Sequence, residues 1–237
     1  MTTTNSAAGD GRGSRHSTGL MVRRVVQLLV GLFFYGLGIA FLIRSALGAS
    51  PWDVLSQGLT HHIALSFGTI TVILSGVVLL LWIPLRQKPG IGTILNSVMV
   101  GPAADISFRI VPEVEALWLR AAFIVIGITI IGMATGLYIG SRFGPGPRDG
   151  LMTGLHRVTG LPIWKVRGAM ELIVVTIGWL LGGTVGIGTL AFAALIGPFC
   201  QYFMRIFLIQ LPSDREPNIV AEIEPEPVVP TVQESLA

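Results

Sequence analysis

The sequence predicts an all-helical membrane protein, with six transmembrane helices in two inverted three-helix repeats and one short helix in each repeat. Three observations predict it. Hydrophobic residues make up 51% of the 237-residue chain and charged residues only 12%, about half the charge of a soluble domain. Landmark residues recur at a constant offset of 96 positions. The basic residues cluster in alternate connections between apolar stretches.

The offset is the strongest of the three. Gly48, Pro51, Asp53, Leu55, Gly58 and Leu59 are matched by Gly144, Pro147, Asp149, Leu151, Gly154 and Leu155. Gly90-Ile91-Gly92-Thr93 is matched by Gly186-Ile187-Gly188-Thr189, and Gly101-Pro102 by Gly197-Pro198. Gly31 and Gly36 pair with Gly127 and Gly132. Apolar sequence yields chance matches of Leu, Val and Gly. A Pro-x-Asp, a Gly-x-Gly-Thr and a Gly-Pro at one offset do not arise that way, so the chain reads as two copies of one unit.

In order along the chain, residues 1–22 are rich in Ser, Thr and Gly, lack periodicity and read as a disordered cytoplasmic tail. Residues 23–112 form the first membrane repeat and 113–211 the second. Six runs approach the roughly 20 residues that a spanning helix needs: 25–43, 67–85, 91–108, 121–139, 164–181 and 187–208. The first is too long for the apolar part of a signal peptide, and it corresponds to 121–139 in the second copy. Helices or closed barrels alone satisfy backbone groups in lipid, and these runs lack a barrel's alternation. Two segments of about a dozen residues, 51–62 and 147–158, are too short to span and are read as short helices, re-entrant or interfacial. Residues 212–237 are acidic and read as a second disordered cytoplasmic tail.

Three spans per copy is an odd number, so consecutive copies face opposite ways. The charges agree. With the N-terminus inside, 13 of the 16 Lys and Arg fall on inner segments. Arg44, Arg109 and Arg120 fall outside, each at a span edge where a long side chain snorkels. The positive-inside rule therefore places both termini in the cytoplasm. The same confinement of charge explains the basic balance without invoking nucleic acid. The lone cysteine, Cys200, allows no internal disulfide.

Several stretches resemble the YczE/YyaS/YitT-like family of bacterial integral membrane proteins, most of all its YczE branch. They are Gly36-Leu37-Gly38-Ile39-Ala40, Ser50-Pro51-Trp52-Asp53-Val54-Leu55, Gly136-Leu137-Tyr138-Ile139-Gly140, Gly144-Pro145-Gly146-Pro147-Arg148-Asp149-Gly150 and Gly182-Gly183-Thr184-Val185-Gly186. The resemblance covers about residues 25–205 and implies a multi-pass protein of the bacterial cytoplasmic membrane. It carries over no substrate and no catalytic residue. The soluble C-terminal domain of some YitT-type members has no counterpart here.

The candidate site residues come from the repeated breaks. Ser50 suits an N-cap, Pro51 the first helical position and Asp53 the third; Gly146, Pro147 and Asp149 repeat the pattern. Asp there accepts hydrogen bonds from free backbone amides and complements the positive helix end. If the two short helices are re-entrant, both Pro-x-Asp ends approach the midplane, where inverted-repeat transporters bind their solutes. Gly101, Pro102, Gly197 and Pro198 interrupt spans three and six at matching positions, a second pointer to a solute site or, more plainly, two packing kinks. Glu171 lies two turns into span five, where an unpaired carboxylate costs about 3 kcal/mol on insertion scales. Arg167 is its natural i, i+4 partner, and Ser75 its neutral counterpart in the first copy. Asp105 and Arg109 form a similar pair in span three, and Asn96 is placed to hydrogen-bond between helices. The Gly-x-Gly-Thr stretches read as a turn with a Thr cap. Glycines at 31, 36, 38, 127, 132 and 136 give spans one and four small faces for close packing.

His61 and His62 have no ligand partners at useful spacing, so no metal and no cofactor is expected. The sequence holds no phosphate-binding glycine loop, dinucleotide fingerprint, zinc-protease motif or nucleophile elbow. The leading expectation is a non-enzymatic secondary transporter of a small solute or ion. The alternative is an accessory protein of the membrane that binds and stabilises a partner protein. The bilayer is the partner both readings share, and either is compatible with a homo-oligomer.

Overall fold

The computed structural model describes residues 10–211, with side chains from residue 18 onward. Residues 1–9 and the acidic segment 212–237 lie outside the described residues. Eight helices and no strand are found among the described residues: α1 Asp10–Arg44, α2 Pro51–Thr60, α3 Phe67–Trp82, α4 Ile91–Ile110, α5 Leu117–Gly140, α6 Pro147–Thr159, α7 Ile163–Leu180 and α8 Ile187–Phe207.

Two boundaries differ from expectation. The backbone of α1 is already helical at Asp10, so residues 10–22 are helix where their composition suggested a tail. Adding residues to an existing helix costs far less than nucleating one, and the long apolar run behind them supplies the nucleus. At the other extreme, α3 ends at Trp82 after 16 residues, two positions before Pro84, whose missing N–H cannot extend the ladder. At 1.5 Å per residue it is about 24 Å long, short of the ~30 Å hydrocarbon core.

Four segments are long and apolar enough to cross a membrane: Thr18–Arg44, Ile91–Ile110, Leu117–Gly140 and Ile187–Phe207. The shortfall of α3 is length. The shortfall of α7 is charge, because its 18 residues include Lys165, Arg167 and Glu171.

The long helices α1 and α5 form the centre. Leu28, Leu32, Ile39 and Leu42 of α1 are buried against Ile124, Ile128 and Ile131 of α5. Gly38 and Gly127 let the two backbones approach closely, and a Cβ on either would press on the facing helix. Gly36 plays the same role against Ala103 and Ala104 of α4, and its counterpart Gly132 against Phe199 of α8. In lipid such close packing, rather than expulsion of water, holds helices together.

Positions 96 apart make matching contacts, and each contact crosses between the halves. The Gly92 N–H donates to the Phe143 carbonyl at 2.9 Å, and the Gly188 N–H to the Leu47 carbonyl at 2.8 Å. Shifting both residues of one bond by 96 gives the other. Short helix α2 packs on α7, and α6 on α3. Trp82 lies on Gly150, and Gly178, its counterpart, lies on Val54 and Leu55. Backbone conformation repeats too. Gly48 and Gly144 have φ of 117° and 122°, which L side chains rarely adopt, and this explains why both positions are glycine. Ala46 (φ 51°) is matched by Arg142 (φ 59°), and Arg86 (φ 51°) by Gly182 (φ 92°).

The α3–α4 packing is not repeated. α3 packs along α4, whereas α7 and α8 share no comparable contact. At the α3–α4 crossing a Cβ on Gly101 would overlap the Gly68 carbonyl; Gly197, the counterpart of Gly101, faces open space.

Candidate functional site

The N-termini of α2 and α6 meet at a cavity of about 230 Å³ between the halves. Both helices begin as the sequence suggests, with Pro at the first position. Ser50 caps α2, its hydroxyl accepting from the Asp53 N–H at 3.4 Å. Gly146 caps α6 without a side chain.

The cavity straddles the repeat. Fourteen of its lining positions form seven pairs at the offset of 96: Ser50 with Gly146, Pro51 with Pro147, Trp52 with Arg148, Thr71 with Arg167, Ser75 with Glu171, Asn96 with Phe192, and Val100 with Ile196. The shape is therefore shared, but the charge is not. Arg148, Asp149, Arg167 and Glu171 all come from the second half, and their counterparts lining the cavity are neutral.

The sequence-derived residues divide cleanly. Pro51, Pro147, Asp149 and Glu171 line the cavity. Asp53 sits just behind the lining, 1% exposed. Gly101, Pro102, Gly197 and Pro198 do not line it. A helix turns 100° per residue, and the faces that look inward belong to Val100 and Ile196. Pro102 and Pro198 are exposed on the outward side, and both helices run through the prolines without a break.

The two aspartates also differ from expectation. Neither carboxylate caps a helix end. The Ser50 hydroxyl donates to Asp53 Oδ2 at 2.5 Å, while Asp53 Oδ1 is buried with no hydrogen bond. The Tyr138 hydroxyl donates to Asp149 Oδ2 at 2.8 Å. Each carboxylate turns from the free amides toward a hydroxyl. Asp105 likewise does not pair with Arg109. It reaches across to α3, accepting from the Ser66 hydroxyl at 2.6 Å and the Gly68 N–H at 2.8 Å. Arg167 and Glu171 do form the expected pair, Nε to Oε1 at 2.9 Å.

The threonine caps form as read. Thr93 Oγ1 accepts from the Gly90 N–H at 3.2 Å, and Thr189 Oγ1 from the Gly186 N–H at 3.4 Å. Thr93 also donates to the Pro145 carbonyl at 2.7 Å, tying the start of α4 to the loop before α6.

Four residues of the site were not singled out by their type or spacing. Arg148 lies with its guanidinium 5.1 Å from the Trp52 ring centre and Nη2 3.8 Å from Asp53 Oδ1. Tyr35 and Tyr138 wall the cavity edge to face, ring centres 6.1 Å apart. Trp82, outside the lining, fixes α6 from behind by donating its indole N–H to the Pro147 carbonyl at 3.0 Å. The signal for Arg148 was present: it is a cation standing where the first copy has Trp52, within the matched stretch.

A helical bundle with several membrane-length apolar helices around an internal charged cavity defines a polytopic membrane protein. Residues 22–205 match a family of unknown function, DUF6198, and the chain belongs to that family. It is 40% identical over 179 residues to an uncharacterized protein of Haemophilus influenzae, covering 76% of this chain and 82% of that one. It is 32% identical over 184 residues to the uncharacterized membrane protein YczE of Bacillus subtilis, covering 77% and 86%. YyaS of the same organism is 28% identical over 181 residues, covering 75% and 90%. No solved structure matches the chain.

Proposed function

We propose that the protein is a secondary transporter of a small solute across the bacterial cytoplasmic membrane, with both termini in the cytoplasm. In this reading α3 and α7 also cross, giving six spans in two inverted repeats, and the cavity is the solute site. The observation that carries it is the unequal state of two matched gates: α3 packs on α4, while α7 stands apart from α8. Two like halves in unlike conformations around a shared site is what rocking of one repeat against the other requires.

The charge distribution supplies the direction. With the N-terminus inside, the start of α3 and the end of α4 face outward, and the start of α7 and the end of α8 face inward. The structure then corresponds to an inward-facing state. Its outer gate is closed by Asp105 on Ser66 and Gly68 and by Phe67 packed edge to face on Phe108, ring centres 5.4 Å apart. The outward-facing state exchanges these roles, closing α7 on α8 and parting α3 from α4.

The test is a reversible lock. Ser66→Cys with Asp105→Cys, in a Cys200→Ser background, joins α3 to α4 once oxidised. In liposomes, uptake of a transported solute is expected to stop on oxidation and return with a reductant. Unchanged uptake by the locked protein rules out the rocking scheme. The accessory-protein reading makes the opposite prediction: no flux for any solute, with partner binding insensitive to the lock.

A further inference from the structure

The cavity's charges point to a class of solute. Five acidic and basic side chains meet at the site: Asp53, Asp149 and Glu171 against Arg148 and Arg167. Three of these are already held by hydrogen bonds, Arg167 to Glu171 at 2.9 Å and Asp149 to Tyr138 at 2.8 Å. The remaining pair is loose. Arg148 Nη2 stands 3.8 Å from Asp53 Oδ1, too far for a hydrogen bond. Among the described residues no acceptor takes a hydrogen bond from the Arg148 guanidinium, and Asp53 Oδ1 is buried without a donor. Trp52 holds the guanidinium against its ring. A cation whose planar donors face a cavity unused is a fork for a carboxylate, which accepts two parallel N–H···O bonds.

Resting on the cavity being the solute site, we propose that it binds a small monocarboxylate on Arg148, and that Asp53 takes up one proton when it does. The carboxylate forms an ion pair with Arg148 and displaces Asp53 from it. Asp53 is then a buried carboxylate with one unbonded oxygen and no counter-ion, and such a group neutralises by protonation. The proton comes from water entering through the open side. One anion and one proton enter together, so the net charge of the site does not change. A dianion would leave an uncompensated charge, which selects against sulfate. The ionisable groups around Asp53 are Tyr35 on α1, Tyr138 on α5, Arg148 and Asp149 on α6, Arg167 and Glu171 on α7, and the Cys200 thiol on α8. α3, packed on α2, presents only the neutral Thr71 and Ser75 there. Arg148 alone among these is a cation free to change partner. Val100, Phe192 and Ile196 supply an apolar wall, which favours a carboxylate with a short hydrocarbon tail.

The test is calorimetric titration of the full chain in nanodiscs with acetate, butyrate and benzoate, and with inorganic sulfate and choline as controls, between pH 6 and 8 where these carboxylates stay ionised. Butyrate or benzoate is expected to bind and the two controls not. Titration in two buffers of different ionisation enthalpy is expected to show about one proton taken up per anion, with affinity weakening by up to about tenfold per pH unit as pH rises. Arg148→Gln should abolish binding. Asp53→Asn should keep binding and lose the proton uptake. Should Asp53→Asn fail to fold, the proton count of the unmodified protein decides the same point. Absence of carboxylate binding, equal binding of sulfate or choline, a proton count of zero, or full binding by Arg148→Gln each overturns the proposal. Binding with proton uptake but without flux in liposomes upholds it and sinks the transport reading. Flux of a cation or neutral solute without carboxylate binding does the reverse.

Discussion

Trp82 and Gly150 show how much of this molecule depends on single atoms. The indole ring occupies the space where a Cβ on Gly150 would stand, and its N–H holds the Pro147 carbonyl at the first turn of α6. Gly150→Ala is therefore expected to cost about 1–3 kcal/mol by overpacking, read as a lower unfolding midpoint of the purified protein. Gly168→Ala, where nothing lies within 4 Å, is the control and should stay within about 1 kcal/mol of the unmodified chain. Residues that mark the repeated break were the legible ones. Pro51, Asp53, Pro147 and Asp149 announce themselves because the same break occurs twice. Arg148 did not, because it departs from its counterpart Trp52 and was counted among the basic residues of a cytoplasmic segment. Tyr35 and Tyr138 did not either, since an aromatic ring inside an apolar run reads as bulk until the hydroxyl's neighbour is known.

In the proposed rocking scheme α3, α4, α7 and α8 carry the motion, and Asp105 marks the crossing that is closed here. It accepts two hydrogen bonds from the start of α3, while its counterpart Gln201 is exposed. Removing those bonds loosens one gate without touching the cavity. In a Cys200→Ser background, a cysteine at Val72, beside Gly101 in the α3–α4 crossing, is expected to react several-fold faster with a membrane-impermeant thiol reagent once Asp105→Ala is added. An unchanged rate means that the carboxylate does not hold the crossing shut. Element boundaries were readable to within a few residues wherever a proline or glycine marks them, as at Pro51, Pro147, Ile91 and Ile187. The long N-terminal extension of α1 was not, because weak helix formers there follow the direction set by the apolar run behind them. The partner of Asp105 was hidden for another reason: spacing of four along one helix suggests a pair, but a residue 39 positions away on a neighbouring helix was closer.

For the whole molecule, the offset of 96 made the duplication legible, and the charge pattern supports the orientation proposed for it. Side-specific labels attached near His62 and Arg157 should report from opposite faces of the membrane, and finding both on one face would dismantle the inverted arrangement. The natural cysteine offers a second readout, because Cys200 lines the cavity. An impermeant thiol reagent is expected to modify it from the cytoplasmic face and far more slowly from outside. Sequence alone did not reveal that the halves differ in conformation. Nothing in a repeated motif says whether its two copies are open or closed, and the difference appears only as packing at Gly101 against vacancy at Gly197.

The bonds from Gly92 to Phe143 and from Gly188 to Leu47 have a consequence for how the chain is made. When the ribosome has delivered only the first 112 residues, the amide of Gly92 and the carbonyl of Leu47 have no partner yet, and Trp82 has no helix to rest on. The early half must wait in the bilayer, incomplete, until the later half threads in beside it. A stop codon between the copies should leave a fragment that quality-control proteases clear, and supplying the missing half from a second message should rescue both.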